Sequence, residues 1–166
     1  MKEEVKIEVE EIVLTEEQEK EFSNGMGEVI KYGMFCDNEL LDMLGSEFDI
    51  KEIVARCVSI KAKVVEADEF EKGERAFLNF GHTIAHAFEL LSGYTIPHGI
   101  AVAAGMVAIT KACVKKGICE KEALDILLSL LKKFNLPEKF DFEIKEETRE
   151  GVYVQYADGK AVVGSD

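Results

Sequence analysis

All three histidines of the chain lie within one stretch, residues 75–105, which reads RAFLNFGHTIAHAFELLSGYTIPHGIAVAAG. His82 and His86 are four residues apart, so on a helix they project from one face, one turn from each other. His98 follows the interruption GYTIP at the start of a second apolar run. Because histidine titrates near neutral pH and is the commonest metal ligand, this clustering indicates a metal site or an acid/base site.

A purely structural role is the alternative for these histidines. Two histidines at this spacing are more often hydrogen-bonded core residues of an amphipathic helix than metal ligands. His98, which follows Pro97, can equally be a residue that merely begins a helix. A catalytic metal usually takes three protein ligands and keeps one position open, so a third ligand decides between the two interpretations.

The elements that would position these residues are mainly helices. Thr15 predicts an N-cap with Gln18 three residues on completing a capping box. Apolar spacing then predicts further helices over Asp37–Leu44, Asp49–Ala67, about Glu74–Leu91, about His98–Lys116 and Glu120–Phe134. The tail changes to period-2 patterns on both sides of Asp158-Gly159, which predicts a small terminal β hairpin, and residues 3–14 alternate as in a strand. The sequence therefore predicts a mainly α domain of five to six or more helices.

Two of the predicted helical segments carry features that bear on the site. In the segment SNGMGEVIKYGMF (23–35), Gly25 and Gly27 precede Glu28 and Lys31, which are three apart on one helical face. An ordinary surface ion pair is the plain interpretation of those two charges. The segment 49–67 carries an apolar stripe at helical spacing, made of Ile50, Ile53, Val54, Cys57, Ile60 and Val64.

Size, charge and cysteine usage limit the class of protein. At 166 residues the prior is one domain spanning 1–166. The net charge of -13 argues against nucleic acid as a partner and allows a small anionic substrate only beside a local basic cluster or a metal. The sequence shows neither a run of eighteen apolar residues nor a secretion signal, so we expect no membrane and a cytoplasmic location. The cysteines show no C-x-x-C spacing, so reduced thiols are expected at Cys36, Cys57, Cys113 and Cys119.

The same residue types indicate what such a site could do. Three nitrogen or oxygen ligands with an open position suit Zn²⁺ or a similar ion, which grips substrate hydroxyls and lowers their pKa. An oxygen-rich anion could bind nearby to Lys31, Lys61, Arg75 and Asn79. On the predicted helix, Arg75 and Asn79 are one turn apart, and Asn79 lies a turn before His82.

Four blocks of sequence resemble one known family. They are GEVIKYG (27–33), SIKAKVVEADE (59–69), ERAFLNFGHTIAHAFE (74–89) and PHGIAVAAGM (97–106), in order and over roughly half of the chain. Together they resemble the C-terminal domain of 3-dehydroquinate synthase, an enzyme of the shikimate pathway of aromatic amino acid biosynthesis. Members of that family are lyases that use zinc or cobalt and NAD to convert 3-deoxy-arabino-heptulosonate 7-phosphate into 3-dehydroquinate and phosphate.

The resemblance implies a role for each matching position. The metal ligands it implies are Glu28, His82 and His98. The substrate-binding positions it implies are Lys31, Lys61, Arg75, Asn79 and His86, among which His86, Lys31 and Asn79 would also act in catalysis. The resemblance thus separates His82 from His86, which spacing alone would have paired as ligands.

The chain also departs from the family pattern. Family members carry an N-terminal NAD-binding domain, whereas no glycine-rich strand-to-helix turn precedes residue 27, so we expect NAD not to bind to this chain alone. That domain would be supplied elsewhere or have been removed. The family's C-terminal Asp-Lys-Lys segment is replaced by KEETREG (145–151), in which Lys145 or Arg149 is the candidate substitute.

Other functions remain open from the sequence. Another sugar-phosphate cyclase and an iron-type polyol dehydrogenase share the two-domain plan, and a non-catalytic helical binding module is a third alternative. The substrate expected from the resemblance is a small anionic sugar phosphate, and the family commonly dimerises, so a homodimer is an allowed state.

Overall fold

The computed structural model describes residues 14–67, 79–141, 153–157 and 160–164. Within these residues the protein is mainly helical, with six helices, which agrees with the predicted fold class. The helices are α1 (Glu16–Phe35), α2 (Asn38–Gly45), α3 (Ile50–Ala67), α4 (His82–Leu91), α5 (His98–Lys115) and α6 (Lys121–Lys133). The predicted ends of α2, α5 and α6 lie within one residue of these bounds.

The first helix begins as its sequence predicts. The Thr15 hydroxyl accepts a hydrogen bond from the Gln18 backbone N–H, and the Gln18 side chain accepts one from the Thr15 N–H, which completes the capping box. The helix then continues through Gly25 and Gly27 to Phe35 without a break. Glu28 and Lys31 therefore lie in the second half of one long helix.

The core is built around α5, whose residues are small. It packs against α1, α4 and α6, and its buried residues are Gly99, Ala101, Val102, Ala103, Ala104, Gly105, Met106, Val107 and Thr110. Such small side chains let neighbouring helix backbones approach closely. By length and composition α5 could cross a membrane, but half of it is buried within the fold, as a central core helix would be.

The helix that carries His82 and His86 is shorter than predicted. We expected it to begin near Glu74, but α4 begins at His82, and Asn79 lies in the turn before it. Gly81 has a left-handed φ of 82°, a conformation that interrupts a right-handed helix. Asn79 and His82 are therefore not on one helix, and the predicted one-turn spacing between them is wrong.

The apolar stripe predicted for α3 is only partly buried. Ile53 and Ile60 are core residues, whereas Ile50 and Val54 are exposed, as is Val58. Consecutive helical residues are about 100° apart, so the six stripe residues span an arc of about 120°, with Ile50 and Val54 at one edge of it. The packing of α3 against α1 covers the other edge of that arc.

Two short strands follow the helices. β1 (Tyr153–Ala157) and β2 (Lys160–Gly164) pair antiparallel, with Tyr153 opposite Gly164 and Ala157 opposite Lys160. The turn residues Asp158 and Gly159 lie outside the described residues, so the hairpin stays a prediction. The strand expected within residues 3–14 also falls outside them, apart from Leu14. All four cysteines are free thiols, as expected.

Candidate metal centre

Two glycines bring Glu28 of α1 next to His98 of α5. Gly27 and Gly99 face each other so closely that a Cβ on Gly27 would lie 2.0 Å from the Gly99 carbonyl oxygen, and one on Gly99 would lie 1.9 Å from the Asn24 carbonyl oxygen. Only glycine permits backbones to approach this closely. Because Glu28 follows Gly27 and His98 precedes Gly99, the same contact positions both side chains.

A second close contact positions His82. A Cβ on Gly105 of α5 would lie 2.3 Å from the carbonyl oxygen of Gly81, the residue directly before His82. A Cβ on Gly81 would in turn lie 2.9 Å from the carbonyl oxygen of Val102, in addition to the strain of its positive φ. The start of α4 is thereby held against α5.

The three side chains converge with one atom each. His82 Nε2 and His98 Nε2 are 3.3 Å apart, and Glu28 Oε1 lies 3.5 Å from the first and 3.6 Å from the second. A tetrahedral Zn²⁺ with bonds of about 2.0–2.1 Å separates its ligand atoms by about 3.3–3.4 Å. The triangle formed by these atoms is therefore close to one face of a zinc coordination tetrahedron.

The hydrogen bonds of the two imidazoles fix which nitrogen faces the centre. His82 Nδ1 donates to the Phe80 carbonyl oxygen at 3.2 Å, and His98 Nδ1 donates to Glu89 Oε1 at 2.9 Å. With Nδ1 as the donor in each neutral ring, both Nε2 atoms carry lone pairs, an assignment that follows from the hydrogen-bond network. Neither Nε2 can donate to the other, so electron-rich atoms face one another across the site.

The carboxylate of Glu28 completes this arrangement. Its Oε2 accepts a hydrogen bond from Lys31 Nζ at 2.6 Å, while its Oε1 is buried and has no hydrogen-bond partner among the described residues. A buried acceptor without a partner is costly, and a cation would satisfy Oε1 and both imidazole nitrogens together. The residues therefore fit a divalent metal ion with Glu28, His82 and His98 as ligands.

His82 is kept in the neutral form that a metal ligand needs. Burial lowers the pKa of this histidine, and the nearby charge of Lys31 lowers it further. A neutral imidazole offers its lone pair to a metal without first losing a proton. The environment of His82 therefore favours metal binding at neutral pH.

His86 lies beside the other two histidines but is not in the same ligand group. Its ring centroid is 5.9 Å from that of His82 and 6.2 Å from that of His98, and its side chain is exposed. Its nearest alternative ligand group joins it to Glu89 and His98. The structure thus places His86 at the rim of the site, on the side open to solvent.

Of the other predicted substrate residues, Lys31 contacts a proposed ligand, whereas Lys61 and Asn79 form no hydrogen bond to one in the described part of the chain. Lys31 is 3% exposed and lies against Glu28. Lys61 is exposed on α3, and Asn79 is exposed before α4. Within the described part of the chain, neither of these two side chains hydrogen-bonds to the three ligands. Arg75, Lys145 and Arg149 lie outside the described residues.

Sequence reasoning missed two residues that contact the ligand helices. Glu89 bonds to His98, and the Asn24 side chain accepts a 2.8 Å hydrogen bond from the Gly99 N–H. Glu89 follows His82 by seven residues, which places both on one face of α4 and could have indicated its role. Asn24 gave no such signal, because its contact joins distant parts of the chain.

Comparison with known proteins agrees with this geometry. The family model described as the 3-dehydroquinate synthase C-terminal domain matches residues 25–160. The 3-dehydroquinate synthase of Pelobacter propionicus is 43% identical over 134 residues, which cover 75% of this chain and 37% of the relative. That of Clostridium perfringens strain 13 is 42% identical over 142 residues, 81% of this chain and 41% of the relative.

A third relative, the 3-dehydroquinate synthase of Clostridium botulinum strain Alaska E43, is 40% identical over 149 residues, 84% of this chain and 42% of the relative. The chain therefore spans about two-fifths of the length of these curated relatives. Because the family model covers most of the sequence, the chain belongs to the 3-dehydroquinate synthase family and corresponds to its C-terminal domain.

Proposed function

We propose that this chain is the metal- and substrate-binding domain of a 3-dehydroquinate synthase, acting in the shikimate pathway in the cytoplasm. The observation that carries the proposal is the buried Glu28 Oε1, which has no hydrogen-bond partner in the part of the chain that the structure describes and faces two imidazole lone pairs at 3.5 and 3.6 Å. The family and its named relatives support the reaction, a lyase reaction that releases phosphate from 3-deoxy-arabino-heptulosonate 7-phosphate.

Glu28, His82 and His98 would hold the divalent metal, zinc or cobalt. When bound, such an ion supplies a Lewis acid that polarises a substrate hydroxyl. The protein's own contribution begins with Lys31, whose ammonium fixes Glu28 Oε2 at 2.6 Å and so directs Oε1 toward the histidines. His82 and His98 are held in the matching tautomer by Phe80 and Glu89.

An anionic substrate requires local positive charge in a chain whose net charge is -13. His82 and His98 are the first residues of α4 and α5, and the N-terminal ends of helices carry partial positive charge. Lys31, Lys61, Arg75 and Asn79 are the proposed substrate-binding residues, the first beside Glu28. These features favour a small sugar phosphate at the open side of the centre.

His86 is the proposed proton carrier. Its exposed imidazole lies beside the ligand histidines without belonging to their group. A neutral imidazole can accept a proton from a bound hydroxyl and an imidazolium can return it, at a pH near neutrality. NAD, which the family uses for transient oxidation, would be held by the family's N-terminal domain and not by the residues of this chain.

Metal binding tests the proposal directly. The chain, purified without chelators and dialysed against Zn²⁺ or Co²⁺, should retain about one ion per chain, whereas Glu28→Ala should retain none. Glu122→Ala, an exposed residue of α6, serves as the control and should bind like the parent. Failure of the parent to bind either ion would contradict the proposal and favour a non-catalytic helical module.

A further inference from the structure

We infer that Glu89 is the positioning residue of the metal centre, holding His98 so that its Nε2 faces Glu28 and His82. Its Oε1 accepts the hydrogen bond of His98 Nδ1 at 2.9 Å. The Glu89 side chain is 14% exposed, whereas that of His98 is 45% exposed. The mostly covered carboxylate therefore anchors a ring that is nearly half exposed to solvent.

The position of Glu89 on its helix supports this role. Glu89 lies in the last turn of α4 (His82–Leu91), where the helix dipole disfavours negative charge. In the described part of the chain, the Glu89 carboxylate pairs with the imidazole of His98. The contact with His98 thus offsets an unfavourable location, and a single helix supplies both one ligand and the support of another.

The carboxylate acts on His98 in two ways. It accepts the hydrogen bond of the Nδ1–H group, which leaves the lone pair on Nε2. It also restricts rotation of the ring, because the hydrogen bond ties the exposed His98 side chain to the less exposed carboxylate of Glu89. Both effects strengthen the bond from His98 Nε2 to a metal ion.

A competing arrangement uses the same residues. Glu89, His86 and His98 have ligand atoms close enough to hold a metal themselves. In that arrangement Glu89 would be a direct ligand and His98 Nδ1 could no longer donate to it. The two arrangements differ in their dependence on His86, which is a ligand in the second and not in the first.

The inference rests on the proposed metal-binding function, and its test uses metal affinity. Zn²⁺ affinity is measured at pH 7 by competition with a chromophoric chelator, and the Co²⁺ visible spectrum reports the ligand set. Glu89→Ala should weaken Zn²⁺ binding by about 10–100-fold, as loss of such a supporting group does in other metal sites. The Zn²⁺ affinity of Glu89→Gln should lie between those of Glu89→Ala and the parent, because the glutamine amide oxygen can still accept the hydrogen bond of His98 Nδ1–H but carries no negative charge.

Two further variants distinguish a positioning role of Glu89 from a general loss of folded structure. The double variant Glu89→Ala/His98→Ala should bind no more weakly than His98→Ala alone, since Glu89 acts through that ring. Glu122→Gln on α6 should match the parent, and circular dichroism should show unchanged helix content in every variant.

Each other outcome has a definite meaning. Parent-like affinity in Glu89→Ala would overturn the inference while leaving the proposed function intact. Equal losses in His86→Ala and Glu89→Ala would overturn it in favour of the second ligand arrangement. No Zn²⁺ binding by the parent would overturn the proposed function and this inference with it.

Discussion

The ligand residues show at the smallest scale why spacing alone misleads. His82 and His86 have the spacing of a metal-binding pair, yet among the described residues each of the two candidate ligand groups contains only one of them. His82 is at the start of α4 with its Nε2 directed toward α1 and α5, and His86 is one turn further on at the exposed rim. Glu28 could be associated with them only through the family resemblance, because no local pattern links residues so distant in sequence.

Removing single histidines tests this division of roles. His98→Ala should weaken Zn²⁺ binding by more than about 100-fold, because losing a ligand costs more than the roughly 10–100-fold effect of a supporting group. His86→Ala should keep the affinity within about threefold of the parent, a difference of under about 1 kcal/mol. Chelator competition at pH 7 measures both, and retained binding in His98→Ala would exclude the proposed ligand set.

At the scale of elements, capping residues were readable from the sequence and helix contacts were not. Thr15 with Gln18 correctly predicted the start of α1. Gly117, with a φ of 67°, follows the last residues of α5, a position where glycine commonly ends a helix. The left-handed Gly81 was missed because a single glycine within an apolar helical pattern is often tolerated. Each proposed ligand directly adjoins a glycine that packs against another helix, a pattern visible in the sequence but interpretable only with the structure.

The contact between α1 and α5 can be tested with two glycines of one helix. Gly27→Ala would place a methyl group 2.0 Å from the Gly99 carbonyl oxygen, so it should lower the free energy of unfolding by about 1–3 kcal/mol. Because the helices must move apart, Zn²⁺ affinity should fall as well. Chemical denaturation and chelator competition measure the two effects.

The control lies two residues away on the same helix. A Cβ on Gly25 would meet no atom of the described residues within 4 Å, and Gly25 is exposed. Gly25→Ala should raise the free energy of unfolding by about 0.5–1 kcal/mol through the helix propensity of alanine, with Zn²⁺ affinity unchanged. Similar behaviour of the two variants would show that the close approach does not position the ligands.

Asn24 also links α1 to the start of α5 by a side-chain hydrogen bond. Pro97, the N-cap residue of α5, has no side-chain cap, and Asn24 Oδ1 instead accepts the Gly99 N–H at 2.8 Å. Asn24→Ala should lower the free energy of unfolding by about 0.5–2 kcal/mol, as loss of an N-cap does. Asn24→Asp keeps an acceptor oxygen and should recover most of that loss in the same denaturation experiment; an equal loss in both variants would contradict the capping role.

For the molecule as a whole, the position of α5 explains why the metal centre forms where it does. α5 contacts α1, α4 and α6, so helices distant in sequence meet along its surface. Composition and periodicity could predict a mainly helical domain, since those depend on local pattern. Composition and periodicity could not predict which residues of α3 are buried, because that depends on which helices pack against it in the fold.

A contact outside the metal centre makes the stability of the fold sensitive to acid. Asp37 caps α2 by accepting the Glu39 and Leu40 N–H groups, and it accepts a 2.6 Å hydrogen bond from Arg56 of α3. The bond to Arg56 is the main cause that lowers the pKa of Asp37 below its usual 3.8. The carboxylate therefore stabilises the fold fully above about pH 3.8. That contribution disappears as the pH falls through the lowered pKa, where the folded state also takes up the proton.

Two substitutions at Asp37 separate its charge from its capping role. Asp37→Ala removes both and should cost about 1 kcal/mol at pH 7 from the lost cap alone. Asp37→Asn keeps a capping oxygen but removes the charge, so it should destabilise the fold at pH 7 and converge with the parent as the pH falls below 3.8. Urea denaturation between pH 2.5 and 7 measures this, with Asp125→Asn on the exposed surface of α6 as the control. A gap between parent and Asp37→Asn that stays constant with pH would exclude Asp37 as the source of the acid sensitivity.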